Sequence, residues 1–237
     1  MKPRFNKNWK LRIAGAALLT VSAIAVRPVA SATESVEMWA GHQVVFGETD
    51  VPVLGKRETR SDSYVLARVT KNTGRITFVQ QACRVDFKEV LGAKVRIPER
   101  ALLSLPAATI SFSKDGELLR AAPWNVGWGR QDVDRDGKPG LTVNVDASVC
   151  GGELYIASDT RSAAVGKLID NGEGMMGKIS VRVQQKVLDT DSACLKMFSA
   201  DSDETQNGGF VYRRVQDNAT CETLLRHPWP IEAKIKR

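Results

Sequence analysis

Residues 162–188, SAAVGKLIDNGEGMMGKISVRVQQKVL, carry the clearest structural pattern in the chain. Two runs, 162–169 and 174–188, flank the dipeptide Asn171-Gly172, which is typical of a tight β-hairpin turn. In the second run apolar and polar residues alternate: Ile179, Val181, Val183 and Val187 against Ser180, Arg182, Gln184 and Lys186. A period of two places one set of side chains on each face of a strand. The stretch therefore predicts two antiparallel strands joined by a hairpin.

The same pattern extends in both directions from this hairpin. Asn72-Thr73-Gly74 and Lys114-Asp115-Gly116 are further turn signals between alternating runs. The predicted strands are 36–46, 64–70, 75–87, 109–113, 117–121, 141–147, 152–158, 162–169, 174–188 and 210–215. A change of phase within 75–87 predicts a β-bulge around Gln80-Gln81. Residues 98–105 form the best helical candidate, and the polar stretch 189–209 is interpreted as a loop.

These elements predict an all-β protein with one domain, residues 33–237, whose C-terminal part is rich in loops. Open strand edges invite aggregation, so antiparallel strands of this length close into a barrel or pack as two sheets. Because consecutive hairpins dominate, the sequence favours a single antiparallel, lipocalin-like barrel. A two-sheet β-sandwich is the alternative.

Residues 1–32 predict a secretory signal peptide. Five positive charges in residues 1–12 precede 14 uncharged residues, 13–26, and then Ala30-Ser31-Ala32. This segment holds six of the 34 basic residues and none of the 27 acidic ones, so residues 33–237 carry a net charge of +1. The formal charge of +7 for the whole chain therefore gives no support for a nucleic-acid partner. We expect the mature protein to be periplasmic or secreted, with no membrane span.

Four cysteines follow the predicted signal peptide: Cys83, Cys150, Cys194 and Cys221. An even number in an exported chain predicts two disulfides, for which three pairings exist. Proximity in the sequence favours Cys194–Cys221, with Cys83–Cys150 as the second bond.

The chemically most informative stretch is 132–140, DVDRDGKPG. Asp132, Asp134 and Asp136 stand at alternate positions before Gly137, and the backbone carbonyl of Lys138 follows where a further oxygen ligand belongs. Ca²⁺ prefers six to eight such oxygens, so these residues predict a structural calcium site. The loop departs from an EF-hand because Val143 occupies the position of the bidentate Glu. A solvated acidic turn is the alternative.

Three stretches together resemble a pattern in uncharacterised exported proteins of Gram-negative bacteria. They are 132–142, GGELYIA at 151–157 and GKISV at 177–181. In those proteins a D-x-D-x-D-G-x-P-G-[VL]-T loop opens a run of antiparallel strands. The resemblance covers about a quarter of the chain. It implies a bacterial envelope protein of barrel type, carries over Asp132, Asp134 and Asp136 as site residues, and brings no established activity.

The sequence offers few catalytic candidates. His42 and His227 are the two histidines, which excludes a three-histidine zinc site. No nucleophile elbow or glycine-rich phosphate loop occurs. A hydrolase based on two carboxylates is the third possibility, since such a site needs only two acids about 5–10 Å apart.

The tryptophans Trp124 and Trp128 precede the acidic loop and are candidates for stacking on a ligand. The alternative is that they pack beneath a loop. We therefore expect a non-enzymatic, exported β-barrel that binds a small apolar ligand and is stabilised by calcium and disulfides. The alternative function is a cell-envelope interaction or structural module that binds protein or glycan.

Overall fold

The computed structural model describes residues 35–51, 55–148 and 150–235, and the predicted signal peptide lies outside these ranges. Most of the described part of the chain is β-strand, as the alternating pattern predicts, with three short α-helices. Its elements, in chain order, are β1 (Val36–Val51), β2 (Gly55–Asn72), β3 (Arg75–Phe87), β4 (Lys94–Arg96), α1 (Glu99–Ser104), β5 (Ala108–Asp115), β6 (Leu118–Ala121), β7 (Trp124–Trp128), β8 (Leu141–Asp146), β9 (Gly152–Ile169), β10 (Gly174–Thr190), α2 (Ala193–Phe198), β11 (Ser202–Arg214) and α3 (Cys221–Leu225).

Eight of these strands pair in a closed ring whose order follows the chain. The order is β1, β2, β3, β5, β6, β9, β10 and β11, and β11 pairs with β1 to complete the ring. Every neighbouring pair is antiparallel. The strands β4, β7 and β8 lie outside this order, because β4 joins β3 to β8 while β7 and β8 pair with β9. The ring confirms the expectation of antiparallel strands joined in sequence.

The hairpin predicted at Asn171-Gly172 is confirmed. Strands β9 and β10 pair from Ile169 with Gly174 to Leu154 with Thr190. The loop between the strands has four residues, 170–173, and Asp170, Asn171 and Gly172 have positive φ of 51°, 55° and 91°. The two runs predicted separately at 152–158 and 162–169 form the single strand β9, because the polar residues between them continue the strand.

The loop predicted at 189–209 is wrong. Residues 193–198 form α2, and residues 202–209 are the first half of β11. This half is polar on both faces, so it lacks the apolar alternation that identifies a buried strand. It is held by pairing with β10 along its whole length, from Ser202 onward, whereas β1 pairs with β11 only from Asn207 onward. On its outer side, Arg182 donates two hydrogen bonds to Asp203, at 2.9 and 2.7 Å.

Aromatic side chains fill the main core inside the ring. Phe78 lies at their centre, with ring centroids 5.8 Å from Trp39, 5.5 Å from Phe112 and 5.0 Å from Tyr212. All four side chains are at most 3% exposed, as is Phe210. Burying aromatic side chains of this size supplies much of the hydrophobic stabilisation of a domain.

Two glycines make room for one of these rings. A Cβ atom at Gly177 would lie 2.6 Å from the ring of Phe210, and one at Gly166 would lie 3.0 Å from it. The two residues face each other across β9 and β10. Larger side chains at either position would press on the Phe210 ring and, nearer still, on the backbone. A Cβ atom at Gly177 would lie closest to the carbonyl oxygen of Val165, and one at Gly166 would lie 2.8 Å from that of Met176.

The predicted β-bulge occurs, but at Cys83 rather than at Gln80-Gln81. Tyr64 of β2 pairs with Arg84, while its neighbour Val65 pairs with Ala82, so Cys83 is the extra residue. The bulge reverses which face the following side chains occupy. Cys83 itself is fully buried.

A second, smaller core joins α1, β8 and the first half of β9. Its buried members are Ala101, Leu141, Val143 and Ile156, and Val133 from the acidic loop packs against them. The loop is thereby attached to a folded part of the protein through an apolar contact.

Candidate functional site

The three aspartates of the acidic loop converge, as the sequence predicts. One carboxylate oxygen from each of Asp132, Asp134 and Asp136 lies within 4.8 Å of the others. The loop curls because Asp132 accepts hydrogen bonds from the N–H of Gly137, at 2.8 Å, and from the N–H of Asp136, at 3.2 Å. Gly137 has a φ of 86°, a left-handed conformation that glycine adopts without steric cost.

Thr142, at the start of β8, ties the loop to the sheet. Its backbone N–H donates to Oδ2 of Asp134 at 3.0 Å, and its hydroxyl donates to Oδ2 of Asp136. Thr142 is only 5% exposed. The positions of two of the three carboxylates are therefore fixed by a buried residue of a strand.

Asp134 has one oxygen without a partner. Its Oδ1 is buried and makes no hydrogen bond. Burial raises the pKa of Asp134, and the neighbouring carboxylates of Asp136 and Asp132 raise it further. By contrast, the N–H of Gly137 lowers the pKa of Asp132. A buried carboxylate oxygen beside two others needs a positive charge or a donor, so the residues present fit a metal ion.

Lys138 lies at the end of this loop. Its backbone N–H donates to Oδ1 of Asp136 at 2.8 Å, and its ammonium lies 5.4 Å from the ring centroid of Tyr155. The role of its carbonyl as a metal ligand stays a prediction.

The structure separates Trp124 and Trp128, at the two ends of β7. Trp124 packs against the main core, whereas Trp128 packs against the second core. The indole N–H of Trp128 donates to the carbonyl of Ile156 at 2.9 Å. Trp128 also lines a groove of about 590 Å³ together with Asp159 and Asp201. Their role in ligand binding stays a prediction.

The structure contains two disulfides, as the cysteine count predicts, but neither of the predicted pairings is correct. The bonds are Cys83–Cys221 and Cys150–Cys194. Because β9 and β10 form a hairpin, the start of β9 lies beside the end of β10. Cys150, just before β9, is therefore next to Cys194, just after β10. Cys83, at the bulge of β3, is left to bond the first residue of α3.

Both ring nitrogens of His42 have partners in the structure. Its Nε2 lies 3.1 Å from the carboxylate of Asp62, and its Nδ1 accepts a hydrogen bond from the N–H of Ala233 at 2.9 Å. The imidazole stacks on Tyr64 with ring centroids 4.6 Å apart. Burial lowers the pKa of His42, although Asp62 opposes this effect. His42 thus connects β1 to the C-terminal segment, while His227 is exposed.

An apolar groove on the outer side of the ring was not anticipated from the sequence. It has a volume of about 940 Å³, and we call it the outer groove. Met175 and Ile179 of β10 belong to the main core, so Met176 between them faces the outer side. The residues that line the outer groove are Phe46, Leu118, Val165, Gly166, Lys167, Met176, Gly177, Lys178, Asn207, Gly208, Gly209, Lys234 and Ile235.

The sequence did contain a signal for this groove. In an alternating strand, an apolar residue next to a core residue occupies an outward position, as Met176 does beside Met175. The contribution of Ile235 could not be found in this way. This contribution depends on the C-terminal segment returning across the sheet, because only then does Cδ1 of Ile235 lie against Gly209.

Comparisons with known proteins give no family for this chain. No family model and no curated protein matches it. Among solved structures, OccK2 (OpdF) of Pseudomonas aeruginosa is 9% identical over 76% of this chain and 61% of its own length, with a TM-score of 0.15. OpdQ of the same organism is 10% identical over 77% of this chain and 64% of its own length, with a TM-score of 0.14. The chain thus spans less than two thirds of either structure.

The described ranges contain no helix that is both long enough and apolar enough to cross a membrane.

Proposed function

We propose that this protein is an exported, non-enzymatic protein of the Gram-negative envelope, periplasmic or secreted, that binds a small apolar ligand. In this proposal the strand ring is a lipocalin-like barrel stabilised by a calcium ion and two disulfides. The observation that carries the ligand-binding function is the outer groove, with Phe46, Val165 and Met176 among its lining residues. Disulfides persist in oxidising compartments, which supports export.

The ligand site is assigned to the outer groove rather than to the ring interior. Small-molecule sites are concave, mostly apolar and about 300–1,000 Å³ in volume, and the groove fits this description. The aromatic side chains of Trp39, Phe78 and Phe210 occupy the interior. The C-terminal segment completes the groove with Ile235, so the site combines β1, β6, β9, β10 and β11 with the tail.

Binding of the uncharged fluorescent probe N-phenyl-1-naphthylamine tests this function. We expect the protein to bind the probe, and Met176→Glu to weaken binding at least tenfold because it places a charge on an apolar wall. Ser180→Glu is the matched control, since Ser180 is exposed on the same face of β10 but does not line the groove. The assignment would be contradicted if the wild type did not bind the probe, or if Met176→Glu and Ser180→Glu bound it with the same affinity. Either result would favour the alternative of an interaction module for protein or glycan.

We further propose that the acidic loop binds Ca²⁺ through Asp132, Asp134, Asp136 and the carbonyl of Lys138. The support is the buried, unpartnered Oδ1 of Asp134 within 4.8 Å of oxygens from the other two carboxylates. The ion would offset the repulsion among the three carboxylates, two of which are already bonded to Thr142 of β8. Its role is structural in this proposal.

Thermal unfolding with Ca²⁺ and with a chelator tests the metal site. An ion that binds only the folded state stabilises it by about 2.7 kcal/mol at a hundredfold excess over Kd. We expect Ca²⁺ to raise the melting temperature of the wild type but not of Asp134→Asn, because an amide oxygen is a weaker calcium ligand than a carboxylate. The control Asp146→Asn removes an exposed carboxylate at the end of β8 and should keep the full response. A melting temperature unchanged in 10 mM Ca²⁺ would reduce the loop to a solvated acidic turn.

A further inference from the structure

Three lysines surround the outer groove: Lys167 on β9, Lys178 on β10 and Lys234 in the C-terminal segment. None of the described residues that line the groove is acidic. Within the described ranges, none of these three ammonium groups forms an ion pair. The groove therefore joins an apolar surface to a positive charge that its own walls leave unneutralised.

The register of the strands places two of the lysines directly beside apolar residues. Lys178 pairs with Val165 of β9 on one side and with Gly209 of β11 on the other. Lys167 pairs with Met176. Paired residues on adjacent strands are neighbours on the same face. Lysine stems can lie along apolar surface while their ammonium groups stay in water, so both lysines can contribute to the walls and to the charge.

Lys234 brings a third charge from a different part of the chain. The adjacent Ile235 lies against Gly209, at the position that a Cβ atom would occupy there. Since Gly209 pairs with Lys178, the tail approaches the sheet next to the second lysine. Charges from two strands and from the tail thus border the same apolar surface.

We propose that the ligand of the outer groove is a single-chain amphiphile with an acidic head group, namely a free long-chain fatty acid. This inference rests on the proposed ligand-binding function and names its ligand class. The acyl chain would lie over Val165, Met176 and Ile235, and the carboxylate would pair with the lysines. A carboxylate placed beside several ammonium groups gains charge-assisted hydrogen bonds. The concave shape suits one chain, whereas insertion into a bilayer needs an apolar surface that projects.

Displacement of the fluorescent fatty acid cis-parinaric acid tests the proposal, with oleate and oleyl alcohol as competitors. The two competitors share one chain and differ in the charge of the head group. We expect oleate to compete about tenfold better than oleyl alcohol with the wild type, since exposed charge pairs each contribute only a few-fold. The triple variant K167Q/K178Q/K234Q should bind both competitors equally while still binding the alcohol. The control K88Q/K114Q/K196Q removes three exposed lysines outside the groove and should keep the preference for oleate.

The outcomes separate this inference from the proposed function. Equal competition by oleate and oleyl alcohol with the wild type would overturn the acidic head group but leave apolar ligand binding intact. Failure of the wild type to bind parinaric acid, oleyl alcohol or N-phenyl-1-naphthylamine would overturn both. Cosedimentation with phosphatidylglycerol vesicles, without binding of monomeric oleate, would make the surface a membrane contact and overturn the proposal. Loss of the oleate preference in the control triple variant would show that net charge, rather than the groove, produces it.

Discussion

Replacing Cys83 and Cys221 together with alanine should lower the free energy of unfolding by about 5 kcal/mol, on the chain-entropy relation for a loop of this length. The bond joins residues separated by 138 positions, so its loss frees a long loop in the unfolded chain. The same relation gives about 4 kcal/mol for Cys150–Cys194, whose separation is 44. Urea unfolding of the oxidised proteins, followed by circular dichroism, measures both values. A loss below 1 kcal/mol for the first variant would contradict the expectation.

The two disulfides differ more in what they anchor than in their contribution to stability. Cys221 begins α3, and the segment after it covers the outer side of β1. The indole N–H of Trp229 donates to the carbonyl of Gly41 at 3.1 Å, and the N–H of Ala233 donates to His42 at 2.9 Å. We therefore expect the Cys83/Cys221 variant to be cleaved by trypsin after Arg226 and to bind the apolar probe more weakly. The Cys150/Cys194 variant is the control, and it should keep the tail in place.

Replacing Trp39 with alanine should cost about 4 kcal/mol of stability, the range found when a large buried aromatic side chain is truncated. Trp39 is fully buried and packs edge-on against Phe78 at the centre of the main core. Its indole N–H also donates to Glu37 at 2.8 Å, and Lys71 lies 4.8 Å from its ring centroid. The substitution therefore removes an apolar contact, a hydrogen bond and a cation–π contact together.

A matched variant separates these effects. Trp39→Phe keeps an aromatic ring in the core but removes the N–H, so we expect a smaller loss of about 2 kcal/mol, typical of a hydrogen bond to a charged group. Burial alone would raise the pKa of Glu37, yet hydrogen bonds from Lys71 and Trp39 lower it below its usual value. Unfolding in urea, followed by far-ultraviolet circular dichroism, compares both variants with the wild type. Equal losses for the two variants would show that packing of the ring contributes little.

The strands that could be predicted from the sequence are those with an apolar face. The strand β3 has the predicted bounds, and β10 differs from the prediction only at its end, because inward apolar residues alternate with polar ones along both. The first half of β11 could not be recognised, since its side chains are polar on both faces and its partners lie elsewhere in the chain. Alternation reports burial of side chains, whereas pairing of the backbone depends on neighbouring strands.

The candidate sites divide in the same way. The convergence of Asp132, Asp134 and Asp136 is local, so residue type and spacing were sufficient to predict it. The outer groove is assembled from five strands and the tail, and one sequence does not report which strands are neighbours. The disulfide pairing was missed for a related reason. Proximity along the chain favours Cys194–Cys221, but it is a poor guide to proximity in space. The predicted hairpin brings Cys150 and Cys194 together although they are 44 positions apart.

Because β1 pairs with β11, the ring of strands can close only after the last strand has been synthesised. The strand β1 is among the first parts of the described chain to be synthesised, and it can form a hairpin with β2 early. Its other edge acquires a partner only when β11 arrives, more than 150 residues later. Contacts between such distant segments form slowly, and an open strand edge can pair with other chains in the meantime. Until β11 is in place, aggregation through the free edge of β1 therefore competes with closure of the ring.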